Sequence, residues 1–346
     1  MDDILNKIKA IDSEKMYKSI NSFPVQIEKS YDLKVQNIMK NISITEGGFT
    51  NIIICGMGGS AIGGNLCKTL IDFDIDINIF INREYKLPNW ALKSSLVIIS
   101  SYSGNTEETI SCYNECIKKN ISPVVITTGG YLLDKAKSNN NVYIEIPKGY
   151  QPRVALGFSF TLIFLFVNKL NLINNKNLKN QINSSVQLLK EFNIEMFSNN
   201  NDALDLASKI YNKYIVIYSS QAFESISYRF RCQLAENSKI ISSHFVFPEQ
   251  NHNEIEAFQN SNVNNIAFIW LSDESDSKKI THRMNITQDL LSNSGSHYRI
   301  CFNKINRVER ILKMISYVDW ISYYCAILNN TDPTPVNKIK RLKALL

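Results

Sequence analysis

In the 346-residue sequence no apolar run is expected to cross a bilayer. Its longest apolar stretch, Val154 to Val167, is interrupted by Gly157 and Ser159. It falls short of the roughly 20 residues that a span requires. That stretch is expected to be a buried helix at a domain or subunit interface instead. The chain opens Met1-Asp2-Asp3, which is polar, so no signal peptide is expected. No basic arm, zinc-finger spacing or RNA-recognition signature is present, which argues against nucleic acid as a partner. The net charge of +6 is mild and fits an anionic small substrate and scattered surface lysines equally well. Seven cysteines make an odd count without metal-ligand spacing, and they read as reduced thiols in a cytoplasmic protein. Cys112 and Cys116 would share a helix face. Without a nearby histidine or a second cysteine pair, they read as buried thiols rather than a metal or redox site.

What is present is an ordinary globular balance, 44% hydrophobic and 20% charged, in a chain long enough for two domains. Strand-like runs recur at 51–56, 77–82, 96–101, 123–127 and 142–146, with helical patterns between most of them, as in Gly63–Ile71 and Thr106–Lys119. Asn105 is the expected N-cap of the latter, with Glu108 at N3. Such alternation implies right-handed βαβ units and a doubly wound parallel sheet. After the 147–152 break come the apolar helix and an Asn- and Lys-rich stretch, 171–183, expected to be a loop. The second half repeats the theme weakly. Helices cover 183–212, strands are expected at 214–218, 240–245, 266–271 and 298–302, and a last helix covers 311–328. The fold class is therefore α/β, with two doubly wound parallel-sheet domains. The expected boundaries are N-terminal helices over 1–45, a first domain over 46–170, a second over 184–328 and a tail over 329–346.

Two loops carry the chemistry. Gly56-Met57-Gly58-Gly59-Ser60-Ala61 follows the strand Ile52–Cys55, and Ser101-Tyr102-Ser103-Gly104-Asn105-Thr106 follows Leu96–Ile99. Each precedes a helix start. A helix N-terminus offers free N–H groups and the positive end of a dipole, and Ser or Thr hydroxyls add donors, all suited to phosphate. The first loop also fits the dinucleotide pattern GxGxxA, with Glu84 as a candidate ribose-binding acid. The second loop favours a sugar phosphate, because a dinucleotide site needs no Ser-x-Ser-x-x-Thr cluster there.

Further motifs complete a resemblance. These are Pro152-Arg153-Val154-Ala155-Leu156-Gly157, Leu234-Ala235-Glu236-Asn237-Ser238-Lys239, Asn251-His252-Asn253-Glu254 and Asp332-Pro333-Thr334-Pro335-Val336. Together with the two loops, and over nearly its whole length, the chain resembles the bifunctional phosphoglucose/phosphomannose isomerase family, built from two sugar isomerase (SIS) domains. The resemblance implies an aldose–ketose isomerase that interconverts glucose 6-phosphate, and mannose 6-phosphate, with fructose 6-phosphate through a cis-enediol. It assigns Glu236 the role of base and Arg153 that of stabilising the enediolate. It gives ring opening to His252, contributed by a neighbouring subunit, and to Lys343, with Lys338 and Lys340 competing on the same tail. Ser101, Ser103 and Thr106 match phosphate ligands, and Gly58, Gly59 and Ser60 line the sugar side. No metal and no cofactor are implied, and the partner is a second copy in a homodimer, with the site lying between the domains and completed by the second subunit. From local sequence alone, Glu236 reads rather as a helix glutamate paired with Arg231 or Lys239, and it is the resemblance that reverses this reading. His244, His282 and His297 lie outside any matching motif. Two rivals differ in class. A non-catalytic SIS sensor would be expected to carry a helix-turn-helix domain, for which 45 residues are too short and too weakly basic. A glucosamine phosphate synthase would begin with a glutaminase.

Overall fold

A computed structural model describes residues 2–36, 48–259, 265–303 and 305–345. The chain divides into two units, Ser22–Val186 and Met1–Asn21 with Gln187–Leu346. The helices expected to lead into the first strand are therefore split. Helices α1 (Asp2–Ile11) and α2 (Met16–Asn21) belong with the second half of the chain, and α3 (Phe23–Ser30) with the first. The part of that expectation that falls on 37–45 lies outside the described residues.

The unit Ser22–Val186 holds one sheet. Its elements are β1 (Val35–Gln36), β2 (Asn51–Cys55), α4 (Gly58–Ile71), β3 (Asn78–Asn82), β4 (Ser95–Ser101), α5 (Glu107–Lys118), β5 (Val124–Thr127), α6 (Gly130–Ser138), β6 (Val142–Glu145) and α7 (Leu156–Lys169). The strand order is β1-β6-β5-β4-β2-β3. Strands β2 to β6 are parallel, and the short β1 pairs antiparallel with β6. The continuous apolar runs of β2, β4 and β5 are what a sheet covered on both faces requires. Their residues are buried almost without exception. The two-residue β1 carries no period for a sequence pattern to show.

The apolar stretch expected at a domain or subunit interface is instead the interior helix of this unit. α7 packs on α4 and α3. A Cβ at Gly157 would lie 2.6 Å from Gln26 Cβ and 2.8 Å from the Phe23 carbonyl oxygen, so only glycine lets the helices approach this closely. The buried Gln26 side chain then serves the start of α7. Its Nε2 donates to the Val154 carbonyl at 2.7 Å, and its Oε1 accepts from the Gly157 N–H at 3.0 Å. The Gly157 N–H is one of those that a helix start leaves without an intrahelical partner, and the Val154 carbonyl ends the preceding 3-10 turn.

The second unit contains α8 from residue 187 (the whole helix is Leu178–Met196), α9 (Asp202–Ile210), β7 (Tyr214–Ser220), α10 (Glu224–Gln233), a π turn (Leu234–Ser238), β8 (Ser242–Phe247), β9 (Ile266–Leu271), α11 (Lys278–Leu290), β10 (Ser296–Ile300), α12 (Arg307–Leu328) and α13 (Asn337–Leu345). The order β10-β9-β7-β8 is parallel throughout. In both sheets the first strand of the parallel set is flanked by the second on one side and the third on the other, followed by the fourth, so the two share a winding. β8 starts later than expected because Ile240 still closes the preceding turn, its N–H donating to the Leu234 carbonyl at 3.1 Å. The 171–183 stretch is only partly loop. α8 begins at Leu178, where Leu178 and Ile182 are buried on one face. α12 is long and apolar enough to cross a membrane, yet 89% of that apolar window is buried inside the protein. It packs on α9, α10 and α2, and Tyr323 on it donates to Asp12 at 3.0 Å. Asp12 also accepts from the Met16 N–H at 2.7 Å, which ties the N-terminal helices to this unit.

Gly157→Ala is expected to destabilise the first unit by about 1–3 kcal/mol through overpacking against α3. The measurement is a lowered thermal unfolding midpoint.

Candidate active site

In the first unit the chain winds outward from β2 through α4 to β3, then returns past β2 to β4. The carboxyl ends of β2 and β4 flank the point where this winding reverses, the position at which doubly wound sheets open a crevice for ligands. Both loops lie there. A Cβ at Gly56 would sit 3.1 Å from the Ser100 carbonyl oxygen, so the first loop rests against β4. Gly58 is exposed at the first position of α4 with φ +49°, while Gly59 and Ser60 are buried. In the second loop the buried Ser101 hydroxyl donates to Thr106 Oγ1 at 3.0 Å and accepts from the Gly104 N–H at 3.1 Å. The exposed Ser103 hydroxyl accepts from the Asn105 N–H at 3.2 Å. Three hydroxyls thus gather in one turn at the N-terminus of α5.

The N-cap of α5 is Thr106, not Asn105. Asn105 is used elsewhere, its Oδ1 accepting from the Tyr131 N–H at 2.9 Å and bridging to the start of α6. Arg153 is buried in a 3-10 turn, Pro152–Val154. A Cβ at Gly59 would come within 2.5 Å of the Pro152 carbonyl oxygen and 3.2 Å of Arg153 Cα. The structure therefore brings Gly58, Gly59, Ser60 and Arg153 together beside the hydroxyl loop.

In the second unit Glu236 stands in the π turn that ends α10. The turn is clamped to α12. Asp319 accepts from Arg229 Nε at 2.9 Å, from its terminal nitrogen at 2.5 Å, and from Gln233 at 3.2 Å. Asn237 donates to the Ser322 hydroxyl at 3.0 Å, and the Ser238 hydroxyl donates to the Ser322 carbonyl at 2.5 Å. Arg229, Gln233 and Asn237, four apart, form the face held by α12. Glu236 instead lines a cavity of about 660 Å³ with Arg231, Lys239, Ser242 and Lys338. Lys239 closes the turn in the left-handed region at φ 57°. Its ammonium donates to the Glu236 and Asn237 carbonyls at 2.9 and 3.1 Å, and to the Asp332 and Pro333 carbonyls at 2.8 and 3.3 Å. One lysine thus joins the π turn to the Asp332-Pro333-Thr334-Pro335 turn, where Thr334 is buried.

Lys343 is exposed on α13. The residues of that helix lining the Glu236 cavity are Asn337, Lys338 and Ile339. His252 is exposed at the end of a 3-10 turn, Glu249–His252, and is not among the cavity residues. His244 stacks edge-on to Tyr228, and burial followed by the charge of Arg231 lowers it to about 4. His297 accepts from Trp270 at 3.2 Å and pairs with the Leu291 carbonyl at 2.9 Å, a structural role. Burial raises the carboxyl of Glu254 to about 7, opposed by a hydrogen bond from Tyr218. All seven cysteines are free, and Cys112 and Cys116 are buried in the first unit's core. Among the described residues no three His, Cys, Asp or Glu side chains gather as a metal-binding group. Sequence reasoning named Lys239 only as an ion-pair partner for Glu236 and missed the π turn and the lysine's main-chain bonds, because neither a wide turn nor a main-chain-bonded lysine leaves a pattern in residue types.

The chain matches the family of the bacterial phospho-glucose isomerase C-terminal SIS domain over residues 199–346. It is 37% identical to a bifunctional phosphoglucose/phosphomannose isomerase of Caldicellulosiruptor bescii, over 95% of this chain and 98% of that one. It is 32% identical to the enzyme of the same name from Aquifex aeolicus, over 95% and 98%. The C-terminal domain of glucosamine-fructose-6-phosphate aminotransferase from Francisella tularensis superposes with a TM-score of 0.69 at 15% identity, over 94% of this chain and 99% of that one, a likeness of fold. The chain belongs to the bifunctional phosphoglucose/phosphomannose isomerase family.

Asp319→Ala removes the buried carboxylate that faces the Arg229 guanidinium and is expected to cost about 3–5 kcal/mol. Replacing the pair together, Arg229→Met with Asp319→Leu, is expected to recover most of that stability in denaturant unfolding. Activity is not expected to return with it, because the directional bonds that fix α10 on α12 ahead of the π turn are gone.

Proposed function

We propose that this family member interconverts glucose 6-phosphate, and mannose 6-phosphate, with fructose 6-phosphate. The observation that carries the reading is the similarity to curated bifunctional isomerases along 95% of the chain. In the proposed reaction the Glu236 carboxylate takes the proton from carbon 2 of the open-chain aldose. The electrons of that bond form a cis-enediol as oxygen 1 is protonated. The proton returns to carbon 1 as the carbon 2 hydroxyl gives up its own proton and becomes the ketone, which balances the proton taken up by oxygen 1. One base serves both steps. Both aldoses give the same enediol, so one base also serves both if carbon 2 can be reprotonated on either face. Thr334, close in sequence to the tail lysines, is a candidate to influence that choice.

Arg153 supplies positive charge to the developing enediolate. Its burial supports this role, since a guanidinium held away from water acts more strongly on nearby charge. Ser101, Ser103 and Thr106 bind the phosphate, and Gly58, Gly59 and Ser60 line the sugar. The support is their position at strand ends and helix starts. His252 and Lys343 open the sugar ring, with His252 supplied by the second subunit of a homodimer. The exposure of His252 outside the Glu236 cavity fits that arrangement. Proton transfer by an enediol route needs no metal and no cofactor, and the enzyme works in the cytoplasm.

Purified protein should form fructose 6-phosphate from either aldose phosphate, at rates unchanged by EDTA. Glu236→Gln should lower kcat by about 10²–10⁴-fold with substrate binding retained. Saturable binding without any turnover by the wild type would instead place the chain among sugar-phosphate sensors.

A further inference from the structure

Of the four residues Asn251-His252-Asn253-Glu254, three are engaged in holding their own loop. Asn251 Nδ2 donates to Thr287 Oγ1 on α11 at 2.8 Å. Asn253 Nδ2 donates to Glu249 at 3.1 Å, and its Oδ1 accepts from the Glu254 N–H at 2.7 Å, capping the next 3-10 turn, Glu254–Phe258. Glu254 reaches into the sheet unit, where Tyr218 of β7 donates to its two carboxyl oxygens at 3.0 and 2.9 Å. Tyr218 is fully buried and fixed on all sides, stacked on Phe268 at 6.0 Å and tilted against Trp270 at 4.7 Å. The remaining residue, His252, is exposed.

We propose that Glu254 is the positioning residue of His252, anchoring the histidine's turn to the central strand β7 through Tyr218. The inference rests on the ring-opening role proposed for His252. A glutamate is a costly anchor in an aromatic core unless its oxygens are bonded. Among the described residues the tyrosine hydroxyl bonds to Glu254 alone, so each group satisfies the other. Because burial favours the neutral carboxyl, glutamine at this position keeps an oxygen that can accept from Tyr218. A misplacement of a catalytic group by about 1 Å can cost on the order of 10²-fold in rate. Losing the anchor should therefore act on turnover.

The test compares Glu254→Gln, Glu254→Leu and Tyr218→Phe in the full chain, alone and with His252→Ala. The expected result is that Glu254→Leu and Tyr218→Phe lower kcat by about 10–100-fold with KM little changed, and that Glu254→Gln stays within about threefold of wild type. Added to His252→Ala, Glu254→Leu should cost no further activity, since it acts only through that ring. Equal losses with and without His252, or full turnover by a folded Glu254→Leu, overturn the proposal. A second readout does not need turnover. The ring resonances of His252, identified by their loss in His252→Ala, should shift or broaden in Glu254→Leu and Tyr218→Phe, while those of His282 stay in place. Unchanged His252 resonances overturn the positioning role even if the wild type proves inactive, an outcome that would refute only the isomerase reading.

Discussion

Asp319 on α12 accepts three bonds from α10, two from Arg229 and one from Gln233, with all three side chains buried. Burial pushes the aspartate carboxyl up, and the Arg229 charge and its hydrogen bonds oppose that shift. A buried ion pair of this kind adds little net stability over apolar residues of the same size. What it adds is direction. Hydrogen bonds fix the rotation of α10 on α12 in a way that apolar packing does not. The Asn237 and Ser238 bonds to Ser322 continue the clamp one turn further. Everything proposed for Glu236 depends on that fixed rotation, since the residue sits between the clamped positions and faces the other way, into the cavity.

The first unit works by a different constraint, close approach of backbone. Gly157 brings α7 onto α3, Gly59 admits the Pro152–Val154 turn, and Gly56 lets the first loop lie on β4. A methyl group would clash with the backbone at Gly157 and Gly59 and crowd it at Gly56. The result is a loop cluster built on the ends of buried strands, with three hydroxyls and two helix starts gathered beside one another. Such a cluster suits phosphate because it gathers donors without requiring a lysine or an arginine in contact with the anion.

Three of the four candidate catalytic residues share one local feature, Lys343 on the regular helix α13 being the exception. Arg153 and His252 lie in 3-10 turns, and Glu236 lies in a π turn. In a regular α-helix the 3.6-residue period decides which side chains face the core and which face water. A tighter or wider turn breaks that period and lets one side chain leave its face while its neighbours stay bonded. The Asn251–Glu254 segment does this with polar anchors on either side of an exposed histidine.

The sequence by itself determined the elements and the family. Continuous β-branched runs fixed β2, β4, β7 and β9 nearly to the residue, because a strand covered on both faces tolerates little else. The small-residue loops were legible because phosphate binding at a helix start demands glycine and hydroxyl residues at set offsets. Tertiary structure alone decided how α1 and α2 are placed, since an amphipathic helix does not say which core it covers. It also put the apolar 154–167 segment in the interior of one unit, where Gly157 and Gln26 select α3 as the neighbour. The N-cap moved from Asn105 to Thr106 because Asn105 serves a contact 26 residues away. The π turn, the Lys239 clasp and the Glu254–Tyr218 bond were likewise beyond sequence patterns. Each joins residues through main-chain oxygens or a buried hydroxyl, and such partners exist only once the chain has folded.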